Sequence, residues 1–122
     1  MTFKKEKIKN LIKFLKQSKV ERKKWKETHK LIHIQQSSEK LYNAYIFMLE
    51  ALEGVEIRYH KQSTIISGRW RAKDNDIWQL GSIVPLLHSF FYEGDEDGIV
   101  VDEWIKKSYK LFTKIRKKYN LY

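Results

Sequence analysis

The sequence predicts an all-α protein, for three reasons. Residues 41–52 (LYNAYIFMLEAL) are apolar or aromatic except at Asn43 and Glu50, and a helix that is apolar on nearly every side must be buried. The lysine-rich segments at both ends repeat apolar residues every three or four positions, which is the helical period. An alternating β pattern is confined to a short stretch after Gly54. We therefore expect the other helices to pack around a central helix at residues 41–52.

The length and composition fit one domain, residues 1–122, whose core needs no disulfide or metal. The absence of cysteine fits a cytoplasmic protein and excludes thiolate zinc sites and a cysteine nucleophile. The N-terminal stretch carries charges where a signal peptide has its apolar run. No apolar stretch approaches the roughly 20 residues that span a bilayer. We expect a soluble protein without a transmembrane segment.

The net charge of +10 is distributed unevenly along the chain. Residues 1–30 carry twelve basic and three acidic residues, and residues 106–122 carry seven basic and no acidic ones, whereas residues 31–105 have a net charge of −6. Positive charge at both ends favours a polyanionic partner, either RNA or DNA or an anionic membrane surface. The alternative is that these lysines only solvate the outer faces of helices.

The first helix should begin after Thr2, a residue type that caps helices. Its apolar stripe consists of Ile8, Leu11, Ile12 and Leu15. The opposite face is almost entirely lysine, but a single short stripe ordinarily faces a protein core, so peripheral membrane contact is the less favoured interpretation. Ser18 and Glu21 have the spacing of a capping box, which predicts a turn at Gln17 and a second helix from Ser18.

The predicted second helix is poor in apolar residues and places Trp25 among several lysines. A basic surface with an aromatic plane suits phosphate contacts and base stacking, but an aromatic side chain can equally anchor the helix to the core. His29 and His33 have the spacing of two metal ligands without a third, so we predict no metal site. The pattern leaves open whether the chain breaks near Gln36 or continues into the central helix.

Gly54 should end the central helix. Residues 55–68 then predict either a short hairpin or an extended loop, because their alternation is brief and two isolated strands are marginally stable. Arg69, Trp70, Arg71 and Lys73 form a second basic and aromatic cluster that we expect to be irregular. Its arginines suit phosphate or carboxylate binding, or ion pairs with the acidic middle of the chain.

Two further helical segments complete the chain. Asp76 should cap the first, which is as apolar as the central helix and should pack against it; Gly81 and Pro85 predict a kink or two short helices. His88 on this apolar background is expected to be a core histidine with satisfied hydrogen bonds. The acidic stretch 93–98 lacks the spacing of a calcium loop and is expected to be a solvated connection. Asp102 should cap the last helix, whose polar face is rich in lysine.

No nucleotide-binding loop, nucleophile elbow or zinc-protease motif occurs in the sequence. Carboxylates are plentiful, but the apolar segments do not force any of them into a close pair. We therefore predict no catalytic residue and no cofactor from the motifs.

The run HIQQSSEKLYNAYIFMLEAL, residues 33–52, resembles the long second helix of HEPN-type bundles, which typically read H-x-QQ-x-x-EK-x-x-x-A before an apolar tail. Its SSEKLYNA core is most similar to the archaeal PaREP-type branch of that superfamily. The later W-x-x-G-S-I-V-P-L-L segment and the final lysine-rich helix fall where such a bundle has its remaining helices.

This resemblance implies an antiparallel up-and-down bundle of four or five helices, often dimeric. HEPN domains occur in RNases, in toxins and in nucleotide-binding partners of small nucleotidyltransferases. The RNase members carry an arginine followed by four to six residues and a histidine. Arg58, Arg69 and Arg71 have no histidine at that distance, so none of these three arginines begins such a motif.

We therefore predict a non-catalytic HEPN-like bundle that binds nucleic acid or nucleotides through basic helix faces. The expected contacts are Lys23, Lys24, Lys30, Arg69, Arg71, Lys114, Arg116 and Lys117. The alternative is a protein-interaction module, a homodimer or a toxin–antitoxin-like partner, with exposed Trp25, Trp70 and Trp104 in its interface. A less favoured third hypothesis is an RNase that depends on His60 or His88.

Overall fold

The computed structural model describes residues 2–94 and 96–122, and these residues form five helices and no strand. The helices are α1 (Phe3–Thr28), α2 (Leu31–Glu53), α3 (His60–Lys73), α4 (Asn75–Glu93) and α5 (Gly98–Tyr119). The all-α prediction is confirmed. No helix within the described part of the chain is long and apolar enough to cross a membrane.

Helices α1, α2, α4 and α5 form an up-down-up-down bundle, and α3 packs against α4 and α2. Side-chain pairs between neighbouring helices show the antiparallel order: Arg22 with Asp102, Glu39 with His88, and Asp74 with Tyr119. Each pair joins an early position on one helix to a late position on its neighbour. The first and last helices of the chain therefore lie side by side.

Helix α2 is the central helix that the apolar run predicts. Leu41, Met48 and Leu49 have no exposed surface, and Gly54 ends the helix in the left-handed conformation with φ 76°. Glu50 is buried as well: it pairs with Lys7 of α1 at 3.4 Å and accepts a hydrogen bond from the backbone N–H of Ile57 at 2.8 Å. Glu50, on the polar face of α2, thus makes polar contacts with α1 and with the connection to α3.

Helix α1 is continuous, and the predicted turn at Gln17 is wrong. Thr2 caps it as expected, accepting from the backbone N–H of Lys5. The hydroxyl of Ser18 does not cap a new helix, because it donates to the carbonyl of Ser37 on α2 while the Ser37 hydroxyl donates back to the carbonyl of Ser18. Helix α2 spans Leu31–Glu53 and therefore runs through Gln36 without a break.

Of the two alternatives for residues 55–68, the hairpin is wrong and the extended loop is correct only for residues 55–59, because α3 follows them. Ser63 and Ile66 are buried three positions apart, which is helical spacing and outweighs the brief alternation before them. The Gln62 side chain accepts from the backbone N–H of Arg58 and donates to the carbonyl of Glu56, which fixes the entry to the helix. The basic and aromatic cluster expected to be irregular therefore lies on α3.

Helix α4 is one helix that continues through both Gly81 and Pro85. Its cap is Asp74, not Asp76, because the Asp74 side chain accepts from the backbone N–H of Ile77 at 3.1 Å. Asp74 is buried and also accepts from Lys118 and from the Tyr119 hydroxyl. These partners bind the start of α4 to the end of α5.

Asp97, not Asp102, caps α5, accepting from the backbone N–H of Ile99 at 2.7 Å. Asp102 lies inside the helix and is buried against Arg22. The predicted acidic connection at residues 93–98 includes Asp95, which lies outside the described residues. Its described part does connect α4 to α5.

Candidate nucleic-acid interface

The two basic ends of the chain meet along the contact between α1 and α5. Arg22 pairs with Asp102, the Ser18 hydroxyl lies 2.9 Å from the Tyr109 hydroxyl, and Trp25 packs beside Gly98. In these contacts the residue number on α1 decreases as the residue number on α5 increases, so the two helices are antiparallel. Two segments that are remote in sequence therefore contribute to one positively charged face.

A stripe of exposed lysines runs along α1 beside this contact. Its members recur at intervals of three, four or seven residues, so they share one side of the helix. They are Lys5, Lys9, Lys16, Lys19, Lys23 and Lys26. Exposed lysines of α5 complete the face: Lys106, Lys110, Lys114 and Lys117. We call these two rows the α1–α5 face.

A groove of about 190 Å³ lies between the two helices, and Lys16, Lys19 and Arg116 contribute cations to its lining. The ammonium of Lys19 lies 5.4 Å from the centre of the Tyr109 ring. The Arg116 guanidinium lies 5.0 Å from the Tyr122 ring, and its Nε donates to the carbonyl of Leu121. The groove thus combines positive charge with aromatic rings.

Few carboxylates oppose this charge. Asp102 is bound by both ends of the Arg22 fork, at 2.6 Å from Nε and 3.2 Å from Nη2. The hydrogen bond from Arg22 to Asp102 also raises the pKa of the guanidinium. Glu103 pairs with Lys106 on the same helix. Most lysines of the face remain available to phosphate groups.

The structure separates the eight predicted contacts into four locations: the α1–α5 face, the part of α1 beside Glu21, the connection to α2, and α3. Lys23 lies in the α1 stripe, and the α5 residues of the set belong to the same face; these are Lys114, Arg116 and Lys117. Lys24 points to Glu21, 3.5 Å away, and Lys30 lies in the connection to α2 at one end of the bundle.

Arg69 and Arg71 lie on α3, away from the α1–α5 face. Arg69 forms an ion pair with Glu53, which also accepts from the Trp70 indole at 2.8 Å. These hydrogen bonds, the one from Trp70 first and then the one from Arg69, lower the pKa of Glu53. Arg71 donates to the Ser82 hydroxyl instead. The ion-pair interpretation of the arginine cluster thus holds for Arg69 and not for Arg71.

The three tryptophans expected at an exposed interface are partly buried. Trp25, Trp70 and Trp104 all pack against the hydrophobic core. Trp25 therefore anchors α1, as the core interpretation of that residue proposed. Trp78 on α4 is the exposed tryptophan, with 52% of its surface accessible.

The predicted contacts omit Lys9, Lys16, Lys19 and Lys110, although these exposed lysines belong to the α1–α5 face. The expected turn at Gln17 divided the lysine stripe of α1 into two unrelated halves. A spacing of three, four or seven residues maintained from Lys5 to Lys26 is the signal that identifies the stripe.

Two of the four histidines, His33 and His88, bind carboxylates of the same chain. His33 Nδ1 lies 2.9 Å from Glu21, and His88 Nδ1 lies 2.8 Å from Glu39. Among the residues that the structure describes, no group of three potential ligands is placed to hold a metal ion. His88 is half-buried at the edge of a cavity, which corrects its expected place in the core.

Comparisons with protein-family models, with characterised proteins and with solved structures gave no significant match.

Proposed function

We propose that this protein binds nucleic acid through the α1–α5 face. The observation that carries the proposal is the antiparallel contact of α1 and α5, which joins the two lysine-rich segments into one surface. Phosphate groups provide most of the affinity in sequence-independent binding, and exposed lysines are suitable contacts for them. The aromatic rings beside Lys19 and Arg116 suit base stacking at the same surface.

The shape of this face favours a polymer over a single nucleotide. The lysines follow the length of two helices and do not converge on one point. Binding of this kind requires no catalytic group, so the proposal is a non-catalytic one. The five-helix bundle and the HIQQSSEKLYNA segment of α2 also support our proposal that the protein is HEPN-like.

Salt dependence tests the proposal. Binding of mixed-sequence RNA and DNA oligonucleotides should weaken by orders of magnitude between about 50 and about 200 mM salt, because counterions are released from the phosphates. The protein must first be freed of carried-over nucleic acid. Absence of binding at the lower salt concentration would refute the proposal.

A charge-reversal pair locates the surface. The double variant Lys16→Glu/Lys23→Glu should weaken binding by roughly tenfold or more and reduce the salt slope by about one for each lost phosphate contact. The matched control is Lys61→Glu/Lys73→Glu, which makes the same charge change at exposed positions of α3. Equal losses in both variants would mean that net charge, and not this face, determines binding.

The alternative proposal is a homodimer or a complex with a protein partner. Because the predicted tryptophans are partly buried, this alternative requires a different surface. An apolar groove of about 490 Å³ is lined by Val55, Tyr59 and Ile65, all of which are exposed. Light scattering after size exclusion would give a dimer mass, and Ile65→Glu should restore the monomer mass if this groove is the interface.

A further inference from the structure

Three exposed apolar residues share the groove of about 490 Å³ that runs along α3. They are Val55, Tyr59 and Ile65, and 72% of the Tyr59 surface is accessible. Exposed apolar side chains that lie together in one groove indicate a surface where another molecule docks. We call these three residues the groove patch.

The chain around the groove patch is basic. Residues 53–73 contain five lysine or arginine residues and two glutamates, and both glutamates pair with arginines of the same stretch. Lys61 lines the groove and is exposed. The groove patch therefore combines apolar side chains with an excess of positive charge.

A second group of exposed apolar residues lies where α4 is followed by α5. Tyr92 is exposed at the end of α4, and Ile99 and Val100 are exposed in the first turn of α5, with 70% of the Ile99 surface accessible. Partners within the bundle thus leave these three side chains largely uncovered. We call them the corner patch.

The corner patch lies in an acidic part of the chain. Residues 74–105 contain eight aspartate or glutamate residues and no lysine or arginine, although the whole chain has 25 basic residues. Glu93, Glu96 and Asp97 are exposed in or beside the connection between α4 and α5. The corner patch therefore combines apolar side chains with negative charge, which is the complement of the groove patch.

The two patches lie at opposite ends of the bundle. The ring of Trp70 lies 5.6 Å from that of Tyr119, the last residue of α5, and the Trp70 indole donates to Glu53 in the groove lining. The groove thus lies near the end of α5, whereas the corner patch lies at its start. Helix α5 has 22 residues, and a rise of about 1.5 Å per residue separates its ends by about 30 Å. The patches of one molecule therefore cannot meet each other.

We propose that the groove patch binds the corner patch of a second copy of this chain. Apolar side chains on both sides exclude water from the contact, and the basic and acidic surroundings of the two patches attract each other. This local attraction opposes the repulsion between chains that each carry a net charge of +10.

The proposed contact joins two unlike surfaces, so it is heterologous, and every molecule in an assembly keeps one patch free for a further copy. Copies therefore add head to tail. A symmetric dimer through the groove alone is a different arrangement, because it uses the same surface of both copies. The proposal does not depend on nucleic-acid binding through the α1–α5 face.

Sedimentation equilibrium of the full chain, from micromolar to millimolar concentration, tests the association. The mass should rise beyond that of two chains, and added sodium chloride should lower it because salt screens the charges. A monomer mass over the whole range would overturn the proposal. A mass that stops at two chains would overturn the head-to-tail arrangement, and a mass unaffected by salt would overturn the part assigned to charge.

Two variants that each block one patch provide a sharper test. Ile65→Glu places a carboxylate in the groove patch, and Ile99→Lys places an ammonium in the corner patch; each alone should have the monomer mass, because burying an unpaired charge is unfavourable. An equimolar mixture should form a complex of two chains and nothing larger, since each variant supplies the intact patch that the other lacks. A mixture that remains monomeric would overturn the pairing of the two patches. Wild-type association by Ile99→Lys alone would also overturn it.

Leu86→Glu is the matched control on α4. Leu86 is exposed to a similar extent as Ile65, 48% against 53%, and belongs to neither patch. This variant should associate as the wild-type chain does. Far-ultraviolet circular dichroism checks that all three variants are folded. A loss of association in Leu86→Glu as large as in Ile65→Glu would overturn the assignment of the contact to the groove patch.

Discussion

Two polar clusters in this bundle use similar side chains with different results. The Arg22 cluster joins Ser18, Arg22, Ser37, Asp102 and Tyr109 between α1, α2 and α5. The Arg71 cluster joins Tyr45, Ser67, Arg71 and Ser82 between α2, α3 and α4. Each combines an arginine with serine and tyrosine hydroxyls, but only the first contains a carboxylate.

This difference separates an arginine whose charge is compensated within the fold from one that has no carboxylate partner. In the Arg22 cluster the guanidinium fork is matched by both oxygens of Asp102, so its charge is compensated within the fold. In the Arg71 cluster the positive charge faces a cavity whose described lining has no carboxylate. An arginine without a carboxylate partner costs stability unless water or an anion solvates it.

The largest expected difference between the clusters comes from removing that carboxylate. Asp102→Ala should destabilise the protein by about 2–3 kcal/mol, because it leaves Arg22 partly buried without its partner. Arg71→Gln breaks no ion pair and should cost less than about 1 kcal/mol. Urea denaturation followed by circular dichroism measures both values. Equal destabilisation would show that Arg71 also has a structural role and would end the contrast.

Serine substitutions should give a smaller difference in the same direction. Ser18→Ala leaves Ser37 and Tyr109 with fewer partners in a closed site and should cost about 1–2 kcal/mol. Ser67→Ala removes one partner of the Tyr45 hydroxyl and should cost about 0.5–1 kcal/mol. The same denaturation experiment compares them, and a larger cost at Ser67 than at Ser18 would contradict the contrast between the two clusters.

The tyrosines should give the smallest effect, at alkaline pH. Burial raises the pKa of both Tyr109 and Tyr45 above the usual 10.0, while hydrogen bonds from serine and the nearby arginine charge oppose that rise. A raised pKa means that the folded state favours the neutral phenol. The contribution of this preference to the free energy of unfolding is complete below pH 10.0. It is lost as the pH rises through the folded-state pKa values of the two tyrosines.

The carboxylate should again distinguish the clusters, since the charge of Asp102 contributes to the raised pKa of Tyr109 and no carboxylate acts on Tyr45. Asp102→Asn should therefore shift part of the tyrosinate absorbance to lower pH. Repeating the Asp102→Asn substitution in Tyr109→Phe assigns the shift, because the shift should then disappear. In the matched control Tyr45→Phe the shift should persist. A shift that disappears in Tyr45→Phe would assign it to the wrong cluster.

Much of the fold follows from apolar spacing alone. The buried α2, the apolar α4 and the lysine-rich α5 were each predicted, because continuous or periodic apolar residues determine which faces are buried. Apart from the missed helix α3, the errors concern polar residues whose partners are remote in sequence. Ser18 has the spacing of a cap but bonds to α2 and α5, and no local pattern distinguishes these two roles.

The helix caps show the same limit. Several acidic residues stand near the starts of α4 and α5, and each has the chemistry of a cap. Asp102 does not cap because Arg22, 80 residues away, binds it inside the helix. Asp74 does cap, and contacts with Lys118 and Tyr119 reinforce that position.

The sequence could predict the candidate sites only in part. An unbroken α1 would have revealed the whole lysine stripe, but the contact between α1 and α5 depends on tertiary packing. Arg69 and Arg71 are two positions apart, and such residues face different sides of a helix. Recognition of α3 as a helix would therefore have separated an arginine paired with Glu53 from one beside a cavity.

The length of α1 determines how many phosphates the proposed nucleic-acid interface can contact. Lys5 and Lys26 stand 21 positions apart on one unbroken helix, and a rise of about 1.5 Å per residue places them about 32 Å apart. Phosphates of a duplex strand follow one another at about 3.4 Å along the axis, so the stripe can follow about nine of them. Affinity should therefore increase with oligonucleotide length up to about nine or ten nucleotides, and longer chains should accommodate additional protein molecules at that interval.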